Sequence, residues 1–187
     1  MRNVDLLLPF ETWNSLGAGR DQWSKSLSDW LTDAFNVWVD DPILSQTKIR
    51  IFEDAIQSLI TGKPRTDWFG KRGVSYLVID TAGQIDVLDH LKVIGSESRK
   101  FRSTNLNIKN CSIMVAEEEI EKGLSSFGAN LIPTDCKTCK LALLCSGGYL
   151  PHRYSEKKMF DNRSVACEAI MSMFNDAQSL ISRSGTM

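Results

Sequence analysis

The sequence has no apolar run near the ~20 residues that a membrane-spanning helix requires. It has no surplus of either charge: 22 Lys and Arg stand against 23 Asp and Glu, for a net charge of -1. Phosphate neutralisation along duplex nucleic acid needs a basic surplus or stripe, so nucleic acid and membrane are both excluded as expected partners. The apolar opening, Val4 to Phe10, lacks the basic start and small-residue cleavage site of a signal peptide, which makes the cytoplasm the expected location. Five cysteines are an odd number for a disulfide framework, and in a reducing compartment they point elsewhere. What is present is enough for a folded domain: 187 residues, 42% hydrophobic and 24% charged, too little charge for a disordered chain.

Val4-Asp5-Leu6-Leu7-Leu8-Pro9 reads as a short, mostly buried strand of parallel type that Pro9 stops. No βαβ series surrounds it, so it resembles the end of a sheet whose remainder lies elsewhere. Residues 21 to 39 carry Trp23, Leu27, Trp30, Leu31, Ala34, Phe35 and Trp38 at helical spacing, with Asp21 at the start. Asp40-Asp41-Pro42 ends that helix. A second helix is expected over 48–60, with Ile49, Phe52, Ala55, Ile56, Leu59 and Ile60 inward and Gly62 at its end. Residues 63 to 73 read as a linker.

From Val74 the period becomes two. Val74 to Ile79, the Asp80-Thr81-Ala82-Gly83 turn and Gln84 to Val87 predict a hairpin. Asp80 belongs to the turn and Asp86 and Asp89 to solvent. A general-base role is their weaker alternative. Ser112 to Gly123 reads as an acidic helix with Glu117, Glu118 and Glu119 solvated, and 164–181 as a closing helix. Residues 131–167 hold four of the five cysteines and little periodicity, so something besides apolar packing should hold them.

The spacing is Cys136-x2-Cys139-x5-Cys145-x21-Cys167. A CxxC pair sets two thiolates around one backbone turn, and two further cysteines complete either tetrahedral zinc or a [4Fe-4S] cube. Lys137, Lys140 and Arg153 can offset the charge of such a centre. Gly147 and Gly148 allow a tight turn that brings N–H groups toward the sulfurs. Asp161, Asn162 and Ser164 suit Asx turns and a helix cap. Cys111, beside Ile113 and Met114, reads as an inert buried thiol.

The run from Cys136 through Cys145-Ser-Gly-Gly148-Tyr149-Leu-Pro151-His152-Arg153-Tyr154 to Phe160-Asp161-Asn162-Arg-Ser164-Val165-Ala-Cys167 resembles the SPASM auxiliary-cluster region of radical SAM enzymes. It is most similar to peptide maturases of the FxsB type. The resemblance implies an α+β chain: a barrel-edge strand and helices over residues 1–70, then over 71–187 a hairpin and an irregular SPASM-like domain with a terminal helix. It implies one [4Fe-4S] cluster on Cys136, Cys139, Cys145 and Cys167, with zinc the less favoured occupant. Tyr149 stands where two-cluster members carry another cysteine. His152, Arg153 and Tyr154 are candidates for substrate contact, and no residue is assigned a catalytic role.

The CxxxCxxC loop that holds the S-adenosylmethionine-cleaving cluster is absent from this sequence. The expected function is therefore an auxiliary-cluster subunit that joins a separate radical SAM protein in a heterodimer. S-adenosylmethionine would bind only in that partner, and a ribosomally made precursor peptide would be modified. The alternatives are an inactive SPASM-like scaffold or peptide-binding module with a structural metal, and, weakest, an autonomous redox protein.

Overall fold

A computed structural model describes residues 2–69, 76–86, 89–101 and 106–184. Chain order gives β1 (Arg2–Val4), α1 (Trp13–Leu16), α2 (Arg20–Asp40), β2 (Thr47–Ile49), α3 (Arg50–Thr61), β3 (Val78–Ile79), β4 (Ile85–Asp86), α4 (Ile113–Ser126), α5 (Ala142–Cys145) and α6 (Cys167–Ser184). Short 3₁₀ turns connect them, and a longer 3₁₀ stretch, Asp89–Phe101, is broken at Gly95. Helices with two small two-stranded sheets make an α+β fold.

The first strand differs from expectation in place and partnership. It covers Arg2–Val4, and it pairs in parallel with β2, Val4 opposite Ile49. The intervening α2 makes this a βαβ unit, absent from the sequence reading because the three residues at 47–49 carry no strand signal and two of them fall in the helix expected over 48–60. With one neighbour and no covering layer on both faces, the run does not bury throughout. Leu8 is buried, but Leu7 is 79% exposed.

The buried face of α2 is Ser24, Leu27, Leu31, Phe35 and Trp38. Trp30 is half exposed, because at 3.6 residues per turn it lies roughly 100° from the centre of that stripe. In α3 the inward face is Ile51, Phe52, Asp54, Ala55 and Ser58, and Ile60 is exposed. Asp54 is buried because its carboxylate accepts hydrogen bonds from the Arg65 and Thr66 amides and the Thr66 hydroxyl, at 2.8 to 3.0 Å. Gly62 takes the left-handed conformation (φ 69°) that ends α3, as its position predicts.

Two apolar cores result. The first joins α2 and α3 to α6 around Phe35, Phe52, Phe69 and Phe174. Ser28 bonds to Ser172 and Thr32 to Asp176, so α2 and α6 run in the same direction. The second gathers Ile85, Leu91, Ile120, Leu124 and Phe160 beneath α4 and the hairpin. The hairpin is real but short, with Val78 opposite Asp86. Asp80 holds its turn by accepting from the Ala82 and Gln84 amides, as the turn reading predicts. Val74, Val87 and the side chain of Asp89 lie outside the described residues. The helix expected from Ser112 uses that residue as its cap, the Ser112 Oγ accepting from the Val115 amide.

Candidate metal centre

Three stretches of backbone deliver the four cysteines. Cys136 ends a 3₁₀ turn that Pro133 begins, its amide bonded to the Pro133 carbonyl at 2.9 Å. The Cys139 amide bonds back to the Cys136 carbonyl at 3.0 Å, which is the tight CxxC turn. Cys145 ends the single turn of α5, and Cys167 opens α6. All four line one small pocket, together with Leu141, Ile170, Met171 and Arg163. Cys111 is not in it. That thiol lies against the second core, 3.5 Å from the Asn107 carbonyl.

Backbone geometry explains why this loop contains glycines. Ser146, Gly147 and Gly148 all have positive φ, at 50°, 91° and 81°. A Cβ on Gly147 would stand 2.6 Å from Pro133, and one on Gly148 2.8 Å from Ser164. The turn aims the Gly147 amide at the Cys145 sulfur, the arrangement expected of an amide stabilising a thiolate. Burial pushes the Cys136 thiol up to about 11 and the Cys145 thiol to about 12, with the neighbouring cysteines adding repulsion. Cys167 is raised for the same reason. Thiols so placed ionise only when a cation takes the charge, so loading this pocket releases protons.

Among the described residues no three His, Cys, Asp or Glu side chains gather closely enough to hold one metal ion. A zinc site needs every sulfur about 2.3 Å from a single point. A four-iron cube takes one thiolate on each iron, so its ligands stand further apart around a shared volume. The four cysteines share one pocket lining, a donor set of the kind that either a zinc ion or a four-iron cube takes.

His152, Arg153 and Tyr154 are all buried. Arg153 donates to the carbonyls of Gly128, Ala129, Leu131 and Phe160, at 2.8 to 3.2 Å, and so ties the loop to the end of α4. His152 Nε2 lies 2.8 Å from the Pro9 carbonyl. A carbonyl only accepts, so Nε2 carries the proton and Nδ1 accepts from the Ser164 hydroxyl at 3.3 Å. That hydroxyl accepts in turn from the Ala166 amide at 3.0 Å. Burial lowers His152 to about 4, so the ring is neutral at ordinary pH. Tyr154 packs on Phe160. The side-chain bonds of His152 and Arg153 described above run to backbone carbonyls and to Ser164, and they join Pro9, the end of α4 and the approach to α6 around the cysteines.

Asn162 and Asp161 complete the clamp. Asn162 donates to the Arg153 and Met159 carbonyls and to Ser155. Asp161 accepts from the Thr134 amide and hydroxyl, next to Cys136, and those bonds hold its carboxyl below the usual range. Tyr149 is buried against Trp68, with ring centroids 4.4 Å apart, and faces His90 and His152. The residue missed by sequence reasoning is Arg163, which lines the pocket. Its only signal was its place four residues before Cys167.

No family model and no curated protein matches the chain. Solved structures do. The chain is similar to native anSMEcpe with bound AdoMet and a Cp18Cys peptide, at 19% identity and a TM-score of 0.66, over 87% of this chain and 44% of that one. It is similar also to a polyhistidine-tagged form of anSMEcpe with bound AdoMet, at 20% identity and a TM-score of 0.65, over 88% of this chain and 42% of that one. The fold is shared. The likeness bears on the fold and does not single out the FxsB type. This chain spans less than half the length of those structures. Among the described residues no helix is long and apolar enough to cross a membrane.

Proposed function

We propose that this chain carries the auxiliary centre of a radical SAM peptide-modifying system, with one [4Fe-4S] cluster held by Cys136, Cys139, Cys145 and Cys167. The observation that carries the reading is the meeting of these four thiols, from three separate stretches of chain, on one apolar pocket. The fold shared with anSMEcpe supports it. When bound, such a cluster supplies one-electron transfer, and with four protein ligands it offers no open iron to a substrate.

The chain's own residues do the holding. The Gly147 amide turns toward the Cys145 sulfur, Arg153 and Asn162 lock the loop, and Leu141 and Ile170 supply apolar wall. A site built on a rigid clamp of this kind reorganises little when its charge changes, which favours rapid electron transfer.

In this reading the S-adenosylmethionine-cleaving core is on a separate radical SAM protein that binds here as a heterodimer, and the substrate is a precursor peptide. The exposed apolar side chains of the β1 segment, Val4, Leu7 and Phe10, support a partner on that face. The peptide bound to anSMEcpe supports the substrate class.

The test is anaerobic purification, alone and with a coexpressed radical SAM protein, followed by iron and sulfide analysis. About four irons and four sulfides per chain are expected. Alanine at any of the four cysteines should lower both, and Cys111→Ser should change neither. Zinc, or no metal under strict exclusion of oxygen, would refute the cluster and leave a structural or peptide-binding module. Failure to copurify with any radical SAM protein, despite a full cluster, would refute the heterodimer alone.

A further inference from the structure

Arg163 is the single charged side chain that lines the cysteine pocket among the described residues. The rest of the lining is the thiols, small residues and apolar groups such as Leu141, Ile170 and Met171. Arg163 also lines a second, adjoining pocket with Trp13, Arg20, Cys167 and Glu168, so it stands at the wall between the two. Its position is held from outside the loop: the Trp13 indole Nε1–H donates to the Arg163 carbonyl at 2.8 Å. The Arg20 guanidinium packs over the Trp13 ring, 4.0 Å from its centroid.

The other cations that the sequence offered do different work. Arg153 spends its guanidinium on backbone carbonyls. Lys137 and Lys140 flank the CxxC turn but do not line the pocket. Glu168 beside Cys167 opposes Arg163 from the adjoining pocket.

Resting on the cluster reading above, we propose that Arg163 is a positioning residue that sets the reduction potential of the four-cysteine centre. Reduction adds one electron to a cluster already negative from its thiolates. A positive charge at the exposed rim of that pocket favours that more negative state, with water screening part of the effect. No bond forms or breaks, and the arginine stays protonated.

The experiment is an anaerobic redox titration of the iron-loaded protein, dithionite supplying the electron and electron paramagnetic resonance reporting the reduced fraction. Wild type, Arg163→Lys and Arg163→Gln are compared, each with its iron and sulfide content measured. The expected result is a midpoint shifted negative in Arg163→Gln and largely restored in Arg163→Lys, at equal iron content. An unshifted Arg163→Gln would overturn the proposal, as would an equal shift in Arg163→Lys, which would make shape rather than charge the cause. Loss of iron from either variant would also overturn it, by making Arg163 a residue of assembly. A wild type that takes up no cluster would instead sink the reading on which this rests, a result distinguishable from the others by its iron content alone.

Discussion

His152 should make the fold acid-sensitive in a window set by its burial. The ring is fully buried, bonded to the Pro9 carbonyl and Ser164, and held at about 4 rather than 6.5. Desolvation is the main cause, and the Pro9 carbonyl, which favours the charged ring, offsets part of it. A base whose folded pKa is depressed binds its proton more readily in the unfolded chain. Stability is therefore whole above the unfolded value, falls as pH drops below it, and levels off once the folded value is passed. Between about pH 7 and about pH 5 the loss from this one ring is about 2 kcal/mol, approaching about 1.4 kcal/mol per pH unit at the steepest part. Urea unfolding of wild type and His152→Gln, in the same metal state, measures it. Carboxylates and His90, the other histidine, contribute to both curves and cancel in the difference. The difference should fall by about 2 kcal/mol over that interval, the wild type losing more. A difference that stays flat, or one that grows as pH falls, would refute a neutral buried ring at this position.

Arg153→Met should destabilise the chain by about 3 kcal/mol or more in the same unfolding assay, because it strands several buried carbonyls. Arg153→Lys should recover little, since the guanidinium donates from all its nitrogens, Nε to Phe160, Nη1 to Ala129 and Nη2 to Gly128, Leu131 and Phe160, and an ammonium has one. Gly147→Ala forces a Cβ to 2.6 Å from Pro133 on a backbone at φ 91°. It should cost about 1–3 kcal/mol and lower the iron content on anaerobic loading, whereas Gly62→Ala, with open space around it, should lose stability alone. Asp54→Asn keeps the shape but weakens three charge-assisted bonds to Arg65 and Thr66. A loss of about 1–2 kcal/mol is expected, read as a lower urea midpoint.

The elements legible in the sequence were those with a local cause. The stripe of α2 showed its period over about four turns, Asp41 and Gly62 marked helix ends, and Asp80 marked a hairpin turn. The four-cysteine spacing was visible because a CxxC turn is a local backbone event. β2 was not legible: three residues at 47–49 become a strand only because β1 offers them hydrogen bonds. Trp30 looked like core because aromatic residues usually are, yet its angle on the helix carried it outward. Asp54 was unreadable for the converse reason, a carboxylate drawn inward by two amides more than ten residues away.

The sequence alone marked the long helices α2, α3, α4 and α6 and several residues that turn the chain, and it singled out four cysteines by their spacing. Those depend on spacing, dihedral preference and side-chain chemistry within a few residues. The tertiary structure decided what surrounds the thiols. It spent Arg153 and His152 on backbone carbonyls, turned the Gly147 amide to a sulfur, and set Arg163 at the pocket wall. Each of those outcomes depends on groups far apart in the chain, such as Pro9 and His152 or Trp13 and Arg163, whose meeting only the packing of α2 against α6 and the closure of the 131–167 loop can arrange.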